Sequence, residues 1–481
     1  MKVDRLLGHL TPKDVAGRTV TGLTCDSRCV KPGHIFVALE GHAADGHDYV
    51  PSAIEAGAMA VVAERAVDTG EVPLVIHPSA RRWLAGAAAR FYASQPEAVV
   101  AITGTNGKSS SVDFLRQIWQ GGGLKAASMG TLGAIGPDGA IELGHTTPDP
   151  VAIHETMARL ARSGISHMAM EASSHGLEQF RLDGVKLKAV AFTNFTQDHL
   201  DYHETMDAYR DAKTRLFAEL APKGCPAIIN ADSAHCEHFE SAAMQAGLTV
   251  FSVGWRGRDL KIAELSPKAT GQELTLKWDN LEYRLLLPLI GEFQALNALT
   301  AAGCALAMGL DFDTVAKGLS RLSPVKGRLE FVGQTAAGAG VFVDYAHTPD
   351  GLDTLLRAAR PHTAGALTVV FGCGGDRDAL KRPLMGEAAQ RHADRVIITD
   401  DNPRSENPAA IRKAILQGAP GAEEIGDRGE AIRAAIGALG AGDTLLIAGK
   451  GHETGQVVGN AVIPFSDQDE AGCALKELAN A

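Results

Sequence analysis

An α/β fold in three domains, with largely parallel sheets, is predicted for this chain from three observations. Short β-branched apolar runs alternate with amphipathic helical stretches, the pattern of strand and crossover helix. Those runs lead straight into glycine-rich or strongly polar loops. The length of 481 residues exceeds what one hydrophobic core organises, and domains of about 100 to 200 residues imply roughly three.

In chain order, strands are expected over 99–103, 167–170, 189–192, 227–229, 341–343, 367–371, 396–398 and 444–447. Two seams separate them. Ser94-Gln95-Pro96 precedes the first strongly apolar run, and the stretch 322–327, with Ser323, Pro324 and Gly327, precedes a fresh series of strand and helix units. The expected domains are therefore 1–94, 95–324 and 325–481. In open α/β sheets ligands sit beyond the carboxyl ends of the strands, so the loops there are the places to look for chemistry.

With 45% hydrophobic and 21% charged residues the composition is that of a globular protein. A net charge of −11 argues against a general nucleic-acid binder, which needs Lys and Arg in excess on one face, but leaves room for a local anion pocket. Charge and proline interrupt the N-terminal apolar stretch, so no signal peptide or membrane span is visible and a cytosolic location is expected. The seven cysteines are scattered without a CxxC pair and read as reduced, mostly structural thiols. Cys236 lies between His235 and His238 without a second ligand pair, so a solvated helix face is preferred there over a zinc site.

AITGTNGKSS, 101–110, is a strand, a glycine-rich turn and then the helical stretch 112–120. Converging amide hydrogens, a helix N-terminus and a lysine are what phosphates require, and a hydroxyl after that lysine can hold magnesium. The glycine that the standard pattern places six residues before the lysine is Ile102 here, so the turn alone makes nucleotide binding only somewhat more expected than an ordinary strand-to-helix turn.

MEASSHGLEQFR, 170–181, puts Glu171 at a strand's carboxyl edge, and TNFTQDHLDYH, 193–203, clusters Asp198, His199, Asp201 and His203. Such oxygen donors with histidine suit a hard divalent ion, against the equal alternative of histidines pairing with neighbouring aspartates. Lys213, in YRDAKTRLF, is by default an exposed helical lysine. TDDNPRSENP, 399–408, is a turn that Pro403 stops; it leaves Arg404 without a role and Asp400 as turn chemistry.

GTNGKSS, MEASSHGLEQFR, NFTQDHLDYH and DAKTRLF, in this order, closely resemble the Mur ligases, ATP-dependent amide-forming enzymes of peptidoglycan precursor synthesis. The resemblance extends over nearly the whole length through CDSRCVKPGHIFVALEGHAADGHDY from Cys25, GEFQALNALTAA from Gly291, GRLE from Gly327, DYAHTPD from Asp344, GCGGDRD from Gly372, DNPR from Asp401 and GKGHE from Gly449. It implies an N-terminal domain for the UDP end of the substrate, a central P-loop ATPase-like domain and a Rossmann-like C-terminal domain for the incoming amino acid.

Carried over by motif, Cys25, Ser27, His42, Ala43 and Ala44 would hold the uridine diphosphate part, and Thr146, Thr147, Ser173, Gln179 and Arg181 the sugar and peptide. Ala43 departs from the longer polar residue of the family pattern. Gly104, Thr105, Asn106, Gly107, Lys108, Ser109 and Ser110 would cradle ATP phosphates, with Asn297, Arg328 and Asp344 also on ATP and His347 adjacent; Ser109 and Ser110 replace the commoner threonines and keep the hydroxyls. Ser109, Glu171 and His199 would serve magnesium, and Lys213 matches the lysine that the family carbamylates, a change from cation to anion that suits a second magnesium. The implied reaction converts the D-glutamate γ-carboxylate of UDP-MurNAc-L-Ala-D-Glu to an acyl phosphate, which an amine then attacks.

Which amine is added depends on one carboxylate. The distal end of meso-diaminopimelate is a zwitterion and that of L-lysine a cation, so a diaminopimelate pocket needs a positive fork and an acid. Arg404 is assigned the fork, Arg377 a second cation and Glu453 the acid, with Asp401, Asn402, Pro403 and Gly449 around them. DNPR is also the form shown by the family's diaminopimelate-adding members, and meso-diaminopimelate is the expected substrate. The alternatives are L-lysine addition, a D-alanyl-D-alanine-adding or folylpolyglutamate-type ligase, and, in another class, a nucleotide-dependent scaffold that needs no such pocket. The expected partners are small molecules, with no nucleic acid or membrane, and a monomer.

Overall fold

The apolar run expected over 99–103 is the strand Ala98–Thr103, buried along its whole length. A strand sandwiched between helix layers has no solvent face, which is why its sequence is continuously apolar rather than alternating. Its parallel neighbours are Leu187–Phe192 on one side and His167–Glu171 on the other. Pro226–Asn230 and Thr249–Gly254 extend the sheet beyond the first, and Ala126–Gly130 beyond the second, all parallel. The short strands Gly133–Gly136 and Gly139–Ile141 then add antiparallel. A core of Val99, Met129, Met157, Met168, Val190, Phe192, Tyr209 and Phe239 packs this sheet against helices.

The computed structural model describes every residue except His42, Ala43 and Ala481. Two compact units divide the chain: Met1–Arg258 with Thr300–Val315, and Asp259–Leu299 with Ala316–Ala481. The first also contains a parallel sheet in the order Gly22–Thr24, His34–Val37, Ala60–Ala63, Leu74–Ile76.

The second unit carries a 6-stranded sheet in the order Glu330–Gln334, Gly340–Asp344, Thr444–Ala448, Leu367–Phe371, Arg395–Ile398, Glu423–Glu424. All its pairings are parallel except the first. The same unit holds an antiparallel meander, Leu260–Lys268, Gly271–Trp278 and Leu281–Leu287, which the apolar runs did not announce. Leu281 and Leu286 are exposed and most of the last strand is solvated, so its pattern lacks the continuous apolar run of a doubly covered strand. No helix among the described residues is long and apolar enough to cross a membrane.

Candidate functional site

Ala98–Thr103 delivers the chain into Gly104-Thr105-Asn106-Gly107, and the helix Lys108–Gly121 starts at once. Gly107 is its N-cap at φ 81°, a left-handed conformation that glycine adopts without steric cost. A side chain on Gly104 would run into Thr193 Oγ1. The loop is held from outside by Thr193 Oγ1 and Asn194 Nδ2, which donate to the Asn106 carbonyl at 2.6 and 3.0 Å. Lys108 is folded over the loop, its Nζ donating to the carbonyls of Gly104 (2.9 Å) and Thr105 (2.8 Å). Ser110 is buried on the inner face of the helix.

Lys213 is not the exposed helical lysine of the default reading. It is 1% exposed, its Nζ donates to the same Gly104 carbonyl at 2.9 Å, and it sits 4.3 Å from the centre of the Tyr209 ring. The Tyr209 hydroxyl in turn donates to Thr105 Oγ1 at 3.1 Å, tying the helix Met206–Arg215 to the loop. Burial, and then the charge of Lys108, hold the Lys213 ammonium well below the ordinary lysine value, against a smaller pull from Asp198.

Ser109 Oγ donates to Glu171 Oε1 at 2.8 Å, and Glu171, 2% exposed, also takes the Thr131 amide at 2.9 Å. This half-buried hydroxyl and buried carboxylate are oxygen donors of the type a hard divalent cation prefers. Lys213 as a free ammonium does not fit such a site; as a carbamate it would. His199 lies half-exposed, its ring edge-on to His175 at 4.9 Å and its Nε2 3.6 Å from Asp198 Oδ2. Among the described residues no three His, Cys, Asp or Glu side chains are grouped to hold a metal ion, and the Asp201 side chain lies outside them. Cys236 donates to the Ala231 carbonyl and His238 pairs with Thr214 Oγ1.

The residues assigned to the sugar and peptide form one hydrogen-bonded chain. Thr147 Oγ1 joins the Glu171 carbonyl to the Ser173 amide, Arg181 donates to the Thr147 carbonyl (2.6 Å) and to Gln179 Oε1 (2.7 Å), and Gln179 donates to the Tyr202 hydroxyl (2.9 Å). Thr146 reaches Thr131 at 3.0 Å. Cys25 and Arg181 both lie within electrostatic reach of Arg81 and Asp149. Burial pushes the Cys25 thiol up to about 12 and lowers Arg181, so Cys25 is no nucleophile. Ser27 opens a single 3-10 turn capped by Asp26, and Ala44 lies on the surface. His42 and Ala43 fall outside the described residues.

In the second unit the loops after Leu367–Phe371, Arg395–Ile398 and Thr444–Ala448 leave the same edge of one parallel sheet. Arg404 stands at φ 50°, a conformation that costs a non-glycine residue about 1 kcal/mol, and is held there by its backbone N–H donating to the Val457 carbonyl at 3.0 Å and its Nη1 donating to the Gly375 carbonyl at 2.7 Å. Arg377 is exposed in the neighbouring loop, and a side chain on Gly374 would meet Arg404 Nη1 at 2.8 Å and Arg377 Cγ at 3.8 Å. Asn402 Nδ2 donates to Glu453 Oε2 at 2.8 Å. Asp401 is buried, with Oδ2 2.7 Å from where a Gly449 side chain would begin, and the Pro403 carbonyl packs on Gly375. Asp400 is more than turn chemistry: it pairs with Arg412, twelve residues on.

Asn297, Arg328 and Asp344 belong to this unit as well. Asp344 accepts from the Leu329 and Ala346 amides at 2.6 and 2.7 Å, and the Arg328 guanidinium lies 4.7 Å from the centre of the Tyr345 ring. Asn297 donates to Gln294 at 3.1 Å. The groove lined by Ser94, Pro96, Arg162, Lys186 and Leu220 contains none of these candidates. The sequence reading missed Tyr209, Thr131, Tyr202, Arg81 and Lys450; of these Tyr202, Tyr209 and Lys450 stand inside TNFTQDHLDYH, YRDAKTRLF and GKGHE, while Thr131 and Arg81 carried no signal.

Three family descriptions match the chain consecutively: Mur ligase family, catalytic domain, over 19–92; Mur ligase middle domain over 102–305; and Mur ligase, glutamate ligase domain, over 327–451. The chain belongs to the Mur ligase family. Among Mur ligases it is 52% identical over 464 residues to the UDP-N-acetylmuramoyl-L-alanyl-D-glutamate--2,6-diaminopimelate ligase of Caulobacter vibrioides, covering 95% of this chain and 96% of that one. It is 51% identical over 467 residues, 96% of each chain, to the protein of the same name from Chelativorans. A solved structure of a ligase so named superposes with a TM-score of 0.75 at 32% identity, covering 99% of both chains. The Mur ligase fold is shared by a MurF ligase from Thermotoga maritima solved with ADP, at TM-score 0.62 and 15% identity over 95% of this chain and 97% of that one.

Proposed function

We propose that this Mur ligase joins meso-diaminopimelate to the D-glutamate γ-carboxylate of UDP-MurNAc-L-Ala-D-Glu at the expense of ATP, as a cytoplasmic monomer with a UDP-substrate domain over 1–94, an ATP domain over 95–324 and an amino-acid domain over 325–481. The observation that carries the reading is the sheet edge where Arg404, fixed on the Gly375 carbonyl, and Glu453, fixed by Asn402, offer opposite charges. A zwitterionic amino-acid end matches such a pair, and a lone ammonium leaves the arginine unpartnered.

The chemistry follows from carboxylates being unreactive toward amines in water. A γ-carboxylate oxygen attacks the γ-phosphorus, ADP departs, the amine nitrogen attacks the acyl carbon, and inorganic phosphate leaves as the nitrogen loses its proton. Lys108 and the amides of the glycine loop stabilise the charge on the phosphoryl oxygens. Asn297, Arg328 and Asp344 are assigned to ATP by the family motifs, with His347 adjacent to Asp344 in the sequence. Magnesium, held by Ser109, Glu171, His199 and carbamylated Lys213, would neutralise phosphate charge. Cys25, Ser27, the 42–44 stretch, Thr146, Thr147, Ser173, Gln179 and Arg181 orient the UDP-sugar peptide.

Mass analysis of the product from ATP, UDP-MurNAc-L-Ala-D-Glu and a mixture of L-lysine and meso-diaminopimelate tests the reading; equal incorporation of both would overturn it. Arg404→Ala is expected to raise the diaminopimelate KM about 10- to 100-fold, the worth of a charged hydrogen-bonded pair, with the ATP KM unchanged. Steady-state kinetics with each substrate varied in turn provides the check.

A further inference from the structure

Lys450 stands between Gly449 and Gly451 with no solvent exposure at all. A buried ammonium is retained only where other groups accept its protons, and both acceptors of Lys450 belong to the candidate amino-acid pocket. Its Nζ donates to Asn402 Oδ1 at 2.9 Å and to Glu453 Oε2 at 3.3 Å. Asn402 closes the triangle through Nδ2, 2.8 Å from the same Glu453 oxygen. The Asn402 Oδ1 also accepts the Val457 amide at 2.9 Å, so two donors fix the amide's orientation and aim its NH2 at the carboxylate. Both side-chain donors on Glu453 thus take Oε2, on a side chain that keeps 34% exposure, and Oε1 remains for a ligand.

We propose that Lys450 is a positioning residue that sets amino-acid specificity: it anchors Glu453 through Oε2 so that Oε1 meets the distal ammonium of the incoming amino acid, and its charge disfavours an end group that is only a cation. The proposal rests on the reading that these loops take an amino acid. A distal centre carrying ammonium and carboxylate together is neutral overall, so a fixed charge beneath Glu453 costs it little. The lone ammonium of lysine is repelled by the same charge, with little screening because Lys450 is buried. Lys450 touches no substrate atom in this arrangement and acts through Glu453 and Asn402.

Lys450→Gln retains an amide donor and removes the charge. With this variant the diaminopimelate KM is expected to rise about tenfold or more while kcat stays within about threefold. The preference for diaminopimelate over L-lysine, as a ratio of kcat/KM values, is expected to fall about tenfold, with the KM values for ATP and the UDP-sugar peptide unchanged. An unchanged diaminopimelate KM and an unchanged preference would overturn the proposal. Should thermal melting show Lys450→Gln unfolded, Glu453→Gln carries the test. With Glu453 neutral, the charge of Lys450 is uncompensated, and L-lysine turnover should drop about tenfold further than diaminopimelate turnover; an equal or smaller drop overturns the idea. Failure of the functional reading itself would look different, because the unaltered protein would then form no amide or show no preference between the two amino acids.

Discussion

Lys213→Met is expected to reduce ligase turnover about 100-fold or more while raising the melting temperature of the protein in bicarbonate-free buffer. The two effects share one cause. Lys213 is fully buried and shares the Gly104 carbonyl with Lys108, so its ammonium is desolvated beside a like charge. A methionine of similar length removes that penalty. The same burial favours the neutral amine, whose nitrogen could attack carbon dioxide; a C–N bond would form, one proton would leave, and the side chain would become an anion beside Lys108 instead of a second cation. In the protein without carbon dioxide the folded-state value lies below the unfolded one, so the unfolded chain binds the extra proton. Stability should therefore fall as pH drops from the ordinary lysine value toward the lowered one, and Lys213→Met should flatten that slope. Turnover, thermal melts across pH, and a carbamate resonance with 13C-bicarbonate are the measurements. A variant that keeps turnover within tenfold, or melts lower than the parent protein, contradicts this account.

The strand ends were legible and the interiors of the sites were not. A parallel strand covered on both faces must be apolar throughout, so Ala98–Thr103, Leu367–Phe371 and Thr444–Ala448 announce themselves, and the loops after them follow from where those runs stop. Lys213 could not be read that way. Its helix is polar in sequence, and what buries the lysine is the Gly104 loop, 109 residues away along the chain. Asp400 likewise looks like a turn former until the fold brings Arg412 to it. Lys450 lies within a quoted motif, yet a lysine between glycines carries no mark of burial, because its partners Asn402 and Glu453 come from two strand ends. Arg404 was singled out by its chemistry alone, while its left-handed backbone depends on pairing with Val457 in the hairpin Gly455–Val458 and Ala461–Pro464.

Breaking the Arg428–Asp467 pair from one side is expected to cost about 3 to 5 kcal/mol of folding free energy, which denaturant titration would read as a large shift in midpoint. Both side chains are completely buried, and Nε and Nη2 of Arg428 each donate to Asp467 at 2.7 Å. Arg428→Met leaves Asp467 as an unpaired buried carboxylate, and Asp467→Asn leaves a guanidinium, so either single change strands a charge. Arg428→Met with Asp467→Leu strands none and should recover most of the loss. The pair also does something that stability alone would miss. Arg428 Nη2 donates to the Ala448 carbonyl at 3.0 Å and Nη1 to the Asp400 carbonyl at 3.5 Å, the positions from which the chain enters the Gly449 and Asp401 loops. Losing both bonds frees the roots of the loops that carry Glu453 and Arg404. The double variant should therefore be nearly as stable as the parent and still show a raised diaminopimelate KM with an unchanged ATP KM. A double variant with normal KM would assign the pair to folding only.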